Sequence, residues 1–235
     1  MPHASPSAGR RASLVKALYR AIVPASLRAS RAAAAVKARL LPHDWIYDRE
    51  FYEQSVEQAA VQSAARIAAT IVDAFGPATV IDVGCGTGAL LASLRDRGCR
   101  VHGLEYAAAA LEYCRRRGLD VRKFDLERDD LADGRTYDVA ISMEVAEHLP
   151  GAAADRYANL LTRLSSIVVF TAAPPGQGGT DHVNEQPAAY WIAKFRERGF
   201  RHAVEQSRQW GEQWRTAGDV KRWYYENLMI FKRGS

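Results

Sequence analysis

The stretch Ala78–Leu91, reading A-T-V-I-D-V-G-C-G-T-G-A-L-L, constrains this chain more than any other. Val80, Ile81 and Val83 form a β-branched run, Gly84, Gly86 and Gly88 follow, and Leu90, Leu91 and Leu94 then recur at helical spacing. That is a buried strand, a tight turn and a helix start. Glycines there permit unusual backbone angles and let a ligand lie against bare main chain. A turn of this kind at the carboxyl end of a strand is where open α/β sheets bind their ligands.

The rest of the chain supplies the sheet. Val56–Phe75 has the pattern of a long amphipathic helix with Ala60, Ile67, Ala68 and Ile71 on one side, ended by Gly76-Pro77. The pattern then predicts strands ending at Gly84 and spanning Arg100–Tyr106, Asp120–Leu126, Tyr137–Met143, Ser166–Thr171, Arg201–Gln206 and Tyr225–Lys232. Helices are expected over Ala107–Arg117, Ala152–Ser165 and Gln186–Arg198. Strands alternating with helices imply a doubly wound, Rossmann-like α/β fold: seven strands, mostly parallel, with helices on both faces.

Charge divides the chain at about residue 45. Residues 1–45 hold eight Lys/Arg against Asp44, a net +7, which leaves −2 for residues 46–235. The expected organisation is a basic helical arm (1–45, partly disordered, with helices near Ala12–Val23 and Ser26–Leu41) and one domain (46–235). The arm is either an interfacial helix at anionic lipid or a helical arm packed on protein. The body lacks the basic surface that nucleic acid requires, which argues against DNA and disfavours RNA as partners. No apolar run approaches the roughly 20 residues of a membrane span, and no signal-peptide pattern is evident. Three cysteines without metal-type spacing, Cys85, Cys99 and Cys114, suggest free thiols and a cytoplasmic location, with the membrane surface open to the arm. Oligomeric state is left open by the sequence.

The glycine spacing is G-x-G-x-G rather than the dinucleotide fingerprint G-x-G-x-x-G, and Glu105 ends the second strand 17 positions after Gly88. An acid at about that offset bonds ribose hydroxyls. D-V-G-C-G-T-G followed by such an acid resembles the class I S-adenosylmethionine-dependent methyltransferases, from about Phe51 to the C-terminus. The resemblance implies S-adenosylmethionine as cofactor, S-adenosylhomocysteine as product, and a seventh strand running antiparallel between the fifth and sixth. It places Asp82, Gly84, Cys85, Gly86 and Gly88 in the cofactor turn and Glu105 and Tyr106 at the ribose. Asp125 and Leu126 fall at the adenine, the glycine loop faces the methionine moiety, and Met143 and Glu144 join the cofactor-binding set.

Strand four ends M-E-V-A-E-H-L-P, with Glu144, Glu147 and His148 spaced to share one face of a helical turn. E-V-x-E-H resembles ubiquinone-pathway O-methyltransferases and small-RNA 2′-O-methyltransferases, some of which hold a divalent metal there with a later His. Glu144, Glu147, His148 and His182 are that alternative metal set, with the metal-free version preferred. His182, in the long glycine-rich loop Ala172–Gln186, is the first candidate for a general base, since imidazole accepts a hydroxyl proton near neutral pH. His148 is the second candidate catalytic histidine. Asn184, Glu185 and Gln186 are expected to bond the acceptor, and Trp45, Tyr47, Phe51 and Tyr52 either form a lid or pack the arm onto the core. Trp210, Trp214, Trp223, Tyr224 and Tyr225 either line an acceptor pocket or cover the sheet edge. The expected reaction is methyl transfer to a hydroxyl of a small-molecule or sugar acceptor. The rivals are an RNA 2′-hydroxyl with a divalent metal, and a non-catalytic module that binds the cofactor.

Overall fold

The computed structural model describes residues 47, 49–131 and 134–234, leaving aside the side chains of 54 and 55. The expected arm and Trp45 lie outside the described residues. A helical turn at Arg49–Phe51 and a π-helical turn at Tyr52–Val56 lead into α1 (Glu57–Phe75). Gly76, at φ 52°, closes α1 by donating its N–H to the Val72 carbonyl. There follow β1 (Thr79–Val83), α2 (Ala89–Arg95), β2 (Arg100–Glu105), α3 (Ala108–Arg116), β3 (Val121–Lys123) and β4 (Val139–Met143). The second half comprises α4 (Ala154–Leu164), β5 (Ile167–Thr171), α5 (Ala188–Arg196), β6 (Phe200–His202), α6 (Val204–Ala217), α7 (Arg222–Glu226) and β7 (Met229–Arg233).

The seven strands form one sheet in the order β3-β2-β1-β4-β5-β7-β6. β3, β2, β1, β4 and β5 pair in parallel, and β7 runs antiparallel between β5 and β6. Alternation along the central strands splits the core into two layers. Ile81, Val83, Ala140, Val168, Phe170 and Phe231 pack with α4 and α5 on one face. Val80, Val139, Ile141, Val169 and Ile230 pack with α1 and α6 on the other. Both faces are therefore covered, as a parallel sheet demands. The cysteines at 85, 99 and 114 are free and buried. No helix among the described residues is long and apolar enough to cross a membrane.

Three expected elements differ from the structure. The sixth strand ends at His202, because Ser207, Trp210, Gly211 and Trp214 recur at helical spacing and bury one face of α6. Trp210 and Trp214 are thus core residues and line no pocket. The Trp214 indole N–H donates to Thr70 Oγ1 at 2.9 Å, tying α6 to α1. The seventh strand starts at Met229, and the β-prone run Trp223-Tyr224-Tyr225 sits in α7. β3 spans only Val121–Lys123, since the chain turns inward at buried Phe124 and the Asp125 N–H donates to the Asp129 carboxylate (2.8 Å) instead of a ladder partner.

Candidate active site

A cleft of about 1110 Å³ opens along the carboxyl ends of β1, β2, β3 and β4 and is roofed by α1 and the turns before it. Asp82, Gly84, Cys85 and Gly86 line its floor, together with Glu105, Tyr106, Asp125 and Leu126. Gly86 has φ 54°, and a Cβ built there would meet nothing within 4 Å, so the bare backbone faces open space. Glu105 ends β2 with each carboxylate oxygen on a backbone donor: Oε2 accepts the Gly86 N–H and Oε1 the Ala107 N–H, both at 2.8 Å. The acid that ends the second strand therefore also fixes the shape of the glycine turn.

Asp82 and Glu105 make this floor acidic. Burial, and then the charge of Glu105, pushes the Asp82 carboxyl up to about 8. Burial raises Glu105 too, against the opposing pull of the N–H groups of Ala107, Gly86 and Tyr106. Neither acid takes part in an ion pair among the described residues. Buried carboxylates without a cationic partner fit a ligand that brings positive charge and hydroxyl groups. Further along, Asp125 and Leu126 line the cleft beyond the end of β3. Asp125 Oδ1 already accepts the Glu127 N–H at 2.9 Å, and Arg128 stands 3.7 Å from Oδ2. Gly88, below the turn, lines no part of the cleft; a Cβ there would lie 2.5 Å from Leu119, so it serves the packing of α2.

At the end of β4 the chain breaks abruptly. Met143 and Glu144 both line the cleft, and Glu144 has φ 54°. Thr171 fixes that conformation by accepting the Glu144 N–H on its carbonyl (3.2 Å) and on Oγ1 (2.9 Å). Glu144 is therefore not on a shared helical face with Glu147 and His148, which occupy the following 3-10 turn, Ala146–His148. Its carboxylate instead accepts hydrogen bonds from Gln177 Nε2 (2.8 Å) and Asn227 Nδ2 (3.1 Å).

Glu147 is 0% exposed and neither of its carboxylate oxygens has a hydrogen bond of good geometry, although its own N–H and that of Ala173 oppose the effect of burial on it. Burial, then the Glu144 charge, raises its carboxyl well above the ordinary value. His148 Nδ1 lies 3.1 Å from the Tyr47 hydroxyl and 3.4 Å from the Asp181 carbonyl. The His148 and His182 rings meet edge to face at 5.0 Å. One donor atom each from Glu147, His148 and His182 falls within 4.8 Å of the others. Three of the four residues in the alternative metal set are thus brought together, and Glu144 stands outside that group.

The loop after β5 is anchored to the same turn. The Val183 and Asn184 N–H groups donate to the Glu147 carbonyl at 2.9 and 3.0 Å. Glu185 binds no open cleft position. Its carboxylate accepts the N–H groups of Gly176 (2.8 Å) and Gly178 (2.6 Å) and stands 3.1 Å from His182 Nδ1. Burial alone would raise this carboxyl, but Gly176, His182 and Gly178 hold it below the ordinary value. A side chain at Gly179 would collide with His182 Nε2 at 2.2 Å, so the imidazole rests on bare backbone. Asn184 and Gln186 bond each other (2.9 Å) and do not line the cleft. Tyr47, Phe51 and Tyr52 do line it, as do Trp223 and Tyr224. Sequence reasoning missed the roles of Glu185, Gln177 and Asn227. The spacing of Glu185 three residues after His182 was a usable signal for the first, whereas the other two carried none.

Part of this chain is similar to known proteins. The family described as "Methyltransferase domain" matches residues 81–166, which run from β1 to the edge of β5 and include the glycine turn, Glu105 and the Glu147-His148 turn. The fold is the Rossmann-like fold of the class I S-adenosylmethionine-dependent methyltransferases. More particularly, the chain is similar to the ubiquinone biosynthesis O-methyltransferases of Hahella chejuensis (38% identical over 77 residues, 30% of this chain and 32% of that protein) and Nitrosomonas europaea (37% over 86 residues, 34% and 37%). It spans about a third of the length of these relatives. Among solved structures, magnesium protoporphyrin IX methyltransferase from Synechocystis PCC 6803, determined with bound S-adenosylmethionine, superposes with a TM-score of 0.57 at 18% identity. That match covers 90% of this chain and 100% of the other. Mitomycin 7-O-methyltransferase MmcR gives 0.55 at 18% identity, over 72% and 55% of the two chains. These structural likenesses concern the fold.

Proposed function

We propose that this protein transfers the methyl group of S-adenosylmethionine to a hydroxyl of a small-molecule acceptor, with a sugar or glycan hydroxyl as the first substrate class. The observation that carries the proposal is that one cleft joins two chemistries. Its floor presents Glu105 and the glycine turn, and its far wall presents His148 and His182. At about 1110 Å³ it exceeds what one drug-sized ligand fills, so a cofactor and an acceptor can share it.

When bound, S-adenosylmethionine supplies an electrophilic methyl on a sulfonium centre and leaves as S-adenosylhomocysteine. Glu105 and the Gly84–Gly86 backbone would hold its ribose and methionine parts, with Asp125 and Leu126 at the adenine. The protein's own contribution is alignment and proton management. Glu185 fixes the His182 tautomer with the proton on Nδ1, which leaves the Nε2 lone pair to take the acceptor's hydroxyl proton. Tyr47 and Tyr52 cover the cleft and keep bulk water from the reacting groups. Calorimetry with S-adenosylmethionine, followed by a radiolabelled-methyl assay against sugars, phenols and RNA, tests the reading. Failure to bind the cofactor removes it.

A second version rests on Glu147. A fully buried carboxylate with no hydrogen bond of good geometry, beside two imidazoles whose Nδ1 atoms are already held, is a donor set that fits a divalent ion, with imidazole favouring a transition metal. The metal-free version remains preferred, because alignment and a base suffice for methyl transfer to oxygen. Elemental analysis paired with an EDTA titration of activity separates the two: a stoichiometric metal lost together with activity establishes the second.

A further inference from the structure

A second polar constellation occupies the mouth of the cleft, apart from the histidines. Glu144 sits in a left-handed conformation that residues with side chains rarely adopt, and such conformations persist where the surroundings over-determine them. The double contact with Thr171 does so here. The conformation delivers the Glu144 carboxylate to Gln177 Nε2 (2.8 Å) and Asn227 Nδ2 (3.1 Å), and Asn227 Nδ2 also reaches Gln177 Oε1 (2.8 Å). Three segments, from the end of β4, the long loop and the turn before β7, thus converge on one cluster. Trp223 stands close by in sequence and space: its carbonyl accepts the Asn227 N–H at 3.2 Å, and its indole lines the same cleft with the residue 37% exposed.

The charge of the cleft narrows what can lie there. Asp125, Glu127 and Glu144 line it beyond the buried Asp82, Glu105 and Glu147, whose carboxyls burial pushes towards the neutral form, against Arg128 as the lining Lys or Arg among the described residues. Phosphate or carboxylate groups on an acceptor would meet repulsion without compensating cations. A carboxylate and a carboxamide at the rim offer acceptors and a donor spaced for several hydroxyls, each of which both gives and takes a hydrogen bond. An exposed indole face beside them suits the apolar face of a saturated ring.

We infer that Glu144, Gln177, Asn227 and Trp223 form a recognition subsite for an uncharged, polyhydroxylated ring, with Trp223 under the ring and Glu144 and Gln177 on its non-reacting hydroxyls. Asn227 positions the other two. This rests on the methyl-transfer reading and adds to it the residues that select the acceptor.

The test uses the full chain with radiolabelled S-adenosylmethionine and four probe sets: neutral methyl glycosides, the matching sugar 6-phosphates, the matching uronic acids, and catechol. Cofactor binding is measured first by calorimetry, and its absence refutes methyl transfer itself. With the cofactor bound, neutral glycosides should exceed every other set in kcat/KM by about tenfold or more, the factor that the loss of about one net hydrogen bond gives. Trp223→Ala and Gln177→Leu are separate variants at exposed positions. Each should raise KM for the best glycoside about tenfold, with kcat and cofactor affinity within about twofold of the parent. Preference for phosphorylated sugars, uronic acids or catechol overturns the inference. So does cofactor binding without transfer to any neutral glycoside, or an unchanged KM in both folded variants.

Discussion

At the scale of single residues, Glu105 and His182 carry distinct loads. Glu105 shapes the glycine turn through Gly86 and faces the cleft floor, so Glu105→Ala should weaken S-adenosylmethionine binding by about 1–3 kcal/mol, the cost of losing charge-assisted hydrogen bonds. Calorimetry on the folded variant measures this directly, and an unchanged affinity would withdraw Glu105 from the cofactor site. His182→Ala should lower turnover by about 10²–10⁴ while cofactor affinity stays close to the parent. Glu185→Gln separates the role of the base from that of its partner. The amide can no longer offer a full negative charge to Nδ1–H, so kcat should fall while KM for the cofactor holds. Full activity in His182→Ala would remove the imidazole from the mechanism, and full activity in Glu185→Gln would remove its partner.

At the scale of elements, the loop that carries His182 depends on helix packing behind it. Trp191 in α5 is fully buried and meets Tyr157 of α4, Phe170 of β5 and its neighbour Tyr190 edge-on or tilted. This cluster lies at the far end of the loop that carries His182 and Glu185. Trp191→Ala should destabilise the fold by about 3–5 kcal/mol through cavity formation. Chemical denaturation reads that loss, and a change below about 1 kcal/mol would mean the layer between α5 and the sheet collapses around the gap. Glu105, the Glu147-His148 turn and the His182 loop all leave carboxyl ends of parallel strands. Their convergence therefore follows from strand order and not from any local signal.

At the scale of the whole molecule, the acidic cleft makes stability depend on pH in an unusual direction. The Asp82 carboxyl stands near 3.8 when unfolded and about 8 when folded. Between those values the folded chain holds a proton that the unfolded chain has released. Its contribution is therefore complete below about pH 4 and is lost as pH rises towards about 8. Burial raises Glu105 and Glu147 as well, so they act with the same sign. The ligand-free protein should show a falling Tm between pH 5 and 8, and Asp82→Asn should flatten that slope. A Tm that rises across this window in the parent protein would contradict the buried-acid description of the floor.

Much of this molecule was legible in its sequence because local patterns sufficed. The β-branched run, the glycines and the helical leucines of residues 78–91 specify strand, turn and helix wherever they occur, and Glu105 follows at the offset a second parallel strand imposes. The alternation of elements was enough to set seven strands and two helical layers. Short-range pattern misled at the sixth strand, expected to run to Gln206: it stops at His202, and the burial of Ser207, Trp210 and Trp214 along one face starts a helix at Val204 instead. Only the tertiary structure decided which of Glu144, Glu147, His148 and His182 meet. The left-handed turn at Glu144 depends on a hydrogen bond to Thr171, which lies in another strand and is 27 residues away in sequence. The partnership of Glu144 with Gln177 and Asn227, 33 and 83 residues away, likewise has no trace in periodicity. Side-chain contacts between distant segments are fixed by sheet order and packing, and a linear pattern carries neither.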